Sequence, residues 1–332
     1  MLSSTFDVLT LGAATRDIFV TSQRFENIPS DHAPDGFNAC LPLGAKLPVD
    51  ELVFASGGGA TNAAVTCSRF GLKTGCITRV GNDLGGREIV AELKREKINV
   101  ARVQIDSKHR TAYSIILIAG AGSRAILVAR GASAHLERRA IPWHRLSLRW
   151  LYLTSVAGNL TLLRDVFAHI KHSRVKLAWN PGNLEIEHGL KRLKPYLIQT
   201  DILILNTGEA AELADCPPRD LKCMLRVLGP LPRGVLIITD GARGAYAHAR
   251  GLTWHASALT GKLVNTTGAG DAFGSAFTAA MFKRGEIPTA LQAGTLNAFS
   301  VATHMGAHTG ILHKFPSIRD LARAKIKKVS LV

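Results

Sequence analysis

Long apolar runs are missing from this 332-residue chain. A helix needs about 20 consecutive apolar residues to cross a bilayer, so a membrane-spanning protein is not expected. Cysteine is scarce too. Cys40, Cys67, Cys76, Cys216 and Cys223 include no C-x-x-C pair and no zinc-ligand spacing, which excludes a zinc ribbon and a thioredoxin-type motif. Their odd count suits a reducing compartment, and all five are expected as free, mostly structural thiols. Acidic residues are the third shortage, 25 against 41 lysines and arginines, for a net charge of +16. That excess favours phosphate-rich ligands. The charge is dispersed, densest in "RAKIKKVSLV", "LERRAIPWHRLSLR" and "KREKINVAR", and aromatics make up only 6% of the chain. Without aromatic interleaving these stretches do not describe a single-strand nucleic-acid binder, so a solvated basic surface is the preferred reading. The opening "MLSSTFDVLTLGAATRD" has no basic leader followed by a long apolar core, and a cytoplasmic protein is expected.

Several enzyme motifs are absent as well. The one Gly-Lys pair, Gly261-Lys262, is followed by Leu263 and has Ala256 where a P-loop needs its first glycine. No G-x-S-x-G elbow or H-E-x-x-H pair occurs.

What is present is an alternation of short β-branched apolar runs with helical patterns. "FDVLTLGAA", "KTGCITRVG", "WLYLTSVAG", "VKLAWNPG", "DILILNT" and "GVLIITDG" read as strands. Helices are expected near 59 to 70, 83 to 96, 159 to 172, 208 to 215, 219 to 228, 268 to 284 and 288 to 304. Continuous apolar strands alternating with helices predict an α/β protein with a mainly parallel sheet covered on both faces. Two segments break the rhythm. Residues 18–54 are turn-rich, and 111–130 read as a hairpin turning at "GAGS". Both are expected as parts of a small β lid on one domain spanning 1–332, with a core of roughly 1–17, 55–110 and 131–332.

The stretch "NTTGAGDAFGSAF", residues 265 to 277, carries the chemistry. Ala272, Phe273, Ala276, Phe277, Ala280 and Met281 recur at helical spacing, so a helix begins near Gly268. Its first turn offers unpaired amides and the positive end of the helix dipole, and small residues let an anion reach them. Asp271 follows directly. It can be a plain helix-start carboxylate; beside an anion hole it is also the group that takes a proton from a hydroxyl accepting a phosphoryl group. The glycines at 268, 270 and 274 miss the dinucleotide spacing by one position.

Together with "GGGATNAAVTCSRFGLKTGCITRVGNDLGG" (57–86), "LNTGEAAEL" and "ITDGARGAY", this stretch resembles the signatures of the ribokinase/PfkB carbohydrate-kinase family over nearly the whole chain. The resemblance implies a ribokinase-like three-layer α/β/α, Rossmann-like core with a β lid. It also implies ATP- and Mg²⁺-dependent phosphorylation of a hydroxymethyl group on a sugar or nucleoside. By position it makes Asp271 the base and the Gly268, Ala269 and Gly270 amides the anion hole. Asp17, Gly57, Gly58 and Asn62 would hold the acceptor, although Asp17 can equally cap a turn and Asn62 a helix. Asn206 and Glu209 would sit by the phosphates, Glu209 reaching Mg²⁺ through water, unless it only opens a helix. Thr239, Gly241 and Asn297 are the expected nucleotide contacts. Thr239 can also be an ordinary strand end, and Asn297 an exposed polar position on an amphipathic helix.

The sequence departs from the family at Asn265, where an Asp is usual. The resemblance makes this a monovalent-cation site weakened by loss of charge, and so weaker use of K⁺. Phe25, Phe37 and Tyr113 form either an aromatic wall for a base or the small core of the lid. Arg124 and Arg130 face phosphate or, preferably, solvent. Exposed lid strands could pair two subunits as a homodimer. An alternative from another class is a catalytically idle family member that binds a metabolite or nucleic acid.

Overall fold

The computed structural model describes residues 5–30, 37–118 and 124–331. The chain opens with β1 (Phe6–Leu11), β2 (Thr15–Thr21), β3 (Glu26–Pro29), β4 (Phe37–Cys40) and β5 (Glu51–Gly57). Then come α1 (Gly59–Arg69), β6 (Thr74–Ile77), β7 (Arg79–Gly81), α2 (Leu84–Arg95), β8 (Gln104–Asp106), β9 (Ala112–Ile118) and β10 (Arg124–Ala129). The middle of the chain supplies β11 (Leu148–Leu153), α3 (Leu160–Lys171), β12 (Lys176–Trp179), α4 (Asn183–Ile186), α5 (Gly189–Leu197) and β13 (Ile202–Asn206). It continues through α6 (Thr207–Ala214), α7 (Leu221–Leu228), β14 (Val235–Thr239), β15 (Ala245–Ala249) and β16 (Leu252–Ala256). Helices α8 (Ala269–Lys283), α9 (Ile287–Ala302) and α10 (Ile318–Leu321) precede a last strand, β17 (Ile326–Val329).

Nine strands form one sheet in the order β17-β16-β15-β14-β13-β12-β11-β1-β6. From β6 to β14 every pairing is parallel, and β15 to β17 extend the sheet antiparallel. Alternation along the strands serves both faces. Leu9, Leu151, Leu177, Trp179, Leu203 and Leu205 pack against α3, α5, α6 and α7. Their neighbours Val8, Trp150, Tyr152, Ala178, Ile202 and Ile204 turn to the other face and meet α1, α8 and α9. Because both faces are buried, these strands read as unbroken apolar runs. The expected three-layer arrangement is present.

A second sheet, ordered β10-β9-β2-β5, makes the lid. β9 and β10 pair antiparallel, Ile118 opposite Arg124, as a hairpin requires; the expected turn at "GAGS" lies outside the described residues. The lid strands reach deeper than the expected boundaries. β2 begins at Thr15 and β5 ends at Gly57, with these two residues paired, so Asp17 lies inside a lid strand rather than in a turn after the first core strand. "KTGCITRVG" also splits, β6 joining the main sheet and β7 pairing with β8.

The expectation of five free thiols needs one correction. Cys216 and Cys223 are joined by a disulfide, because the turn from α6 into α7 brings their Cα atoms to 6.0 Å. Cys40, Cys67 and Cys76 are free. Burial pushes the Cys67 and Cys76 thiols up to about 12, against which a Thr10 hydrogen bond acts at Cys76; this is the character of inert core thiols.

Candidate active site

The glycine loop enters α8 through a series of tethers. The amides of Val264 and Asn265 both donate to the Ala302 carbonyl, at 2.8 and 3.2 Å. Asn265 Oδ1 accepts from the Thr267 amide at 2.7 Å, closing a side-chain turn. Gly268 caps the helix with φ 82, a left-handed conformation that suits glycine, and a Cβ there would come within 2.5 Å of Ala307 Cβ. The helical ladder starts with Ala272 donating to Gly268 at 2.9 Å. The amides of Gly270 and Asp271 therefore lie in the first turn without an intrahelical acceptor. A Cβ on Gly270 would meet nothing within 4 Å, so this side is open. The Ala269 amide, expected as part of the anion hole, instead donates to Thr266 at 3.2 Å.

Asp271 is held by Asn62 of α1, whose Nδ2 donates to its Oδ2 at 2.7 Å. Asn62 lies inside α1; the helix is capped by Gly58, φ 98, so the reading of Asn62 as a cap is ruled out. Asn62 Oδ1 is buried with no hydrogen-bond partner. Burial raises the pKa of Asp271, Asn62 opposes the rise, the charge of Asp17 adds to it and His308 opposes it. Asp17 is 4% exposed and accepts from Thr15 Oγ1 at 2.9 Å. Its pKa is also raised, by burial, against the hydroxyls of Thr15 and Ser114 and the charges of His308 and Arg16. The Asp17 carboxylate presses on Gly57, where a Cβ would meet its Oδ2 at 2.1 Å. Two carboxylates of raised pKa and one amide thus converge where the lid meets the start of α8.

On the neighbouring side, Asn206 and Glu209 form a reciprocal cap on α6. Asn206 Oδ1 accepts from the Glu209 amide at 2.9 Å, and Glu209 Oε2 from the Asn206 amide at 2.8 Å. The plain helix-start role of Glu209 is therefore real. Yet burial pushes its pKa up to about 7, against the Asn206 amide and with added repulsion from Asp271 and Glu212. Glu209 lies within electrostatic reach of Asp271. Thr239 ends β14 directly opposite Asn206 on β13, and Gly241 follows with φ 53 and open space at its Cβ position.

Asn297 does not join this group. It is fully buried, donates to Ala272 O at 2.9 Å and accepts from the Leu312 amide at 3.0 Å. It is neither exposed nor open to a nucleotide; it bolts α9 to the turn after Asp271, because a buried amide needs partners on both ends. Phe25, Phe37 and Tyr113 make no ring contacts with one another among the described residues. Phe25 is buried and Phe37 exposed on the β3–β4 ribbon, so no shared wall forms. Arg124 and Arg130 are exposed, as expected of solvated cations.

His308 was not legible as a site residue. It is 5% exposed, bonds Glu92 Oε1 through Nδ1 at 2.7 Å, and its charge acts on both Asp17 and Asp271. Arg69 fixes its loop, donating to the carbonyls of His308 and Ile311 at 3.2 and 2.6 Å while bridging Glu96. Burial acts against ionisation of Glu92, but His308, Ser56 and Arg16 hold its carboxyl at about 2. The only hint in the sequence is the glycine-bracketed "GAHTG".

Comparison with known proteins fits this geometry. The chain is 24% identical over 290 residues to a ribokinase of Haemophilus influenzae, covering 85% of this chain and 92% of that protein. A putative ribokinase II of E. coli, solved with ATP and Mg²⁺, superposes with a TM-score of 0.74 at 18% identity, covering 92% of this chain and 96% of that one. A nucleoside kinase of Methanocaldococcus jannaschii gives 0.72 at 18% identity, over 96% and 98% of the two chains. The profile of the pfkB family carbohydrate kinases matches residues 34–314. With the glycine loop, Asp271 and the lid strands β5, β9 and β10 lying within that match, the chain belongs to the pfkB family of carbohydrate kinases.

Proposed function

We propose that this kinase transfers the γ-phosphoryl group of ATP to a hydroxymethyl group of a sugar or nucleoside, with Asp271 as general base. The observation that carries this reading is the Asn62–Asp271 contact of 2.7 Å at the amino end of α8. It holds a carboxylate of raised proton affinity beside unpaired helix amides. A base must be near the hydroxyl and basic enough to take its proton. Burial and the charge of Asp17 supply the basicity. The anion hole, proposed on Gly268 to Gly270, rests chiefly on the open Gly270 amide with that of Asp271, since the Ala269 amide is committed to Thr266. Its donors meet charge developing on the transferred group.

Asp17 and the unpartnered Asn62 Oδ1 accept hydroxyl protons of the acceptor, with Gly57 and Gly58 beside them, where the close approach of Asp17 and of the Ala13 carbonyl leaves no space for a side chain. Asn206 and Glu209 serve the nucleotide phosphates, and Thr239 and Gly241 contact the nucleotide. Among the described residues no three His, Cys, Asp or Glu side chains converge to cage a metal, which suits an ion held mainly by phosphates and water. The Glu209 carboxyl, pushed up to about 7 by burial, fits a nearby cation that offsets its charge. Mg²⁺, when bound, neutralises charge on the phosphates.

Three subsidiary readings follow. Asn265 gives a weakened monovalent-cation site, since its Oδ1 is engaged with Thr267. The lid supports a homodimer: Leu127, Ile115, Ile18 and Phe54 lie opposite one another across its four strands, with Leu127 56% and Phe54 58% exposed. A cytoplasmic setting rests on the dependence on ATP alone, since the Cys216–Cys223 disulfide removes the support that five free thiols would have given to a reducing compartment. The test is ATP consumption with Mg²⁺ over a panel of ribose, fructose, adenosine and a keto-deoxy sugar acid. Turnover with one of them is expected. Saturable binding of an acceptor without ATP consumption would instead favour the idle, binding-only reading.

A further inference from the structure

The amino edge of the main sheet, opposite the edge that carries the glycine loop, holds a cavity of about 590 Å³. Small-molecule sites span about 300–1,000 Å³. Leu148, Val175, Met281 and Phe282 give it apolar walls, and Arg149, Arg174 and Lys176 bring three cations to it. Two of these cations rest on aromatic faces. The Arg149 guanidinium lies 4.4 Å from the centroid of Phe282, and the Lys176 ammonium 5.4 Å from that of Trp150. Such contacts orient a long basic side chain without neutralising it.

Counter-charge is thin. Asp7 stands 3.9 Å from Arg149, and its other oxygen accepts the Lys73 amide at 2.9 Å. Arg174 and Lys176 have no carboxylate partner within 4.0 Å among the described residues. A concave site with three cations and one distant, shared carboxylate is short of negative charge. We propose that this cavity is a second binding site, separate from the catalytic one, for a small phosphorylated anion. The cations meet the phosphate and the apolar walls accommodate a carbon body. The phosphate can come from an organic ester or from inorganic phosphate, and the two differ in what they ask of the apolar walls. Helix α8 touches both sites, Asp271 at its first turn and Phe282 at its last, about 17 Å apart at 1.5 Å rise per residue.

The cavity has a built-in reporter. The four methionines are Met1, Met224, Met281 and Met305; Met281 lines the cavity, while Met305 packs beneath the lid. The experiment titrates methyl-¹³C-methionine-labelled protein with pyrophosphate and, separately, with a phosphorylated pentose, assigning Met281 through Met281→Leu. A saturable shift of the Met281 signal is expected. Arg174→Ser combined with Lys176→Ser, both exposed positions, weakens it by about tenfold or more, as loss of charged hydrogen-bond donors implies, and leaves the Met305 response unchanged. Tighter binding of the pentose ester assigns an organic phosphate, and tighter binding of pyrophosphate an inorganic one. A Met281 signal fixed under both probes, or a titration that the double variant leaves unaltered, overturns the site.

Discussion

Asn62 on α1 and Asp271 on α8, 209 positions apart in sequence, meet through one hydrogen bond of 2.7 Å. Because the amide donates, it stabilises the ionised carboxylate and opposes the rise in pKa that burial causes. Asn62→Ala removes that support. The acid limb of the kcat/KM profile should move to higher pH, since the base stays protonated further up the scale, and kcat should fall by about tenfold to a hundredfold. A profile that keeps its position while only KM rises would limit Asn62 to acceptor binding.

Glu209 gives the clearest pH prediction for stability. Its carboxyl, at about 7 in the fold, lies above the ordinary value near 4.3 for an unfolded chain. A raised carboxyl favours the fold at low pH and loses that advantage as pH rises through its folded value. Glu209→Gln keeps a side chain able to close the cap on Asn206 but carries no charge. It should therefore raise stability at pH 8 by about 1–3 kcal/mol, with a smaller effect at pH 5, and lower Mg²⁺-dependent activity. Denaturation at the two pH values checks the sign; equal effects at both would contradict the assigned cause.

Asn265 predicts weak use of monovalent cations. Activity without K⁺ should already be a substantial fraction of the maximum, and Asn265→Asp should increase the response to the ion. Activity that starts near zero and climbs steeply with K⁺ in the unaltered protein would contradict this.

Phe54 and Leu127 end an apolar row across the lid, and both are exposed among the described residues. Phe54→Glu with Leu127→Glu should turn a dimer into a monomer in light scattering, with core stability changed by less than about 1 kcal/mol because both positions are exposed. A monomeric unaltered protein would remove the basis for lid pairing.

Much of the core was legible because strands buried on both faces, such as Ile202–Asn206 and Val235–Thr239, cannot avoid reading as apolar runs. The helix after Gly268 was legible for the same kind of reason, its apolar residues recurring at helical spacing. The antiparallel extension was not. "AYAHA" and "LTWHA" mix small and polar residues, and β17 joins them from 70 positions away. Asp17 was recognised by position, yet its location inside a lid strand depends on pairing with Ala55 and Ser114, which no local pattern encodes. Cys216 and Cys223 looked unremarkable until the α6–α7 turn brought them together. Asn297 and His308 were misjudged or missed because each takes its role from partners far along the chain, Ala272 and Glu92.

The central claim is that Asp271 removes the proton from the acceptor hydroxyl. Asp271→Asn preserves the size of the side chain and its place in the first turn of α8, and it removes both the base and the charge. Turnover of ATP with the best acceptor should fall by about a thousandfold or more, with acceptor binding near that of the unaltered protein and a melting temperature no lower, since the buried charge that raises the Asp271 pKa is removed. A folded Asp271→Asn protein that keeps kcat within a few-fold would contradict the account.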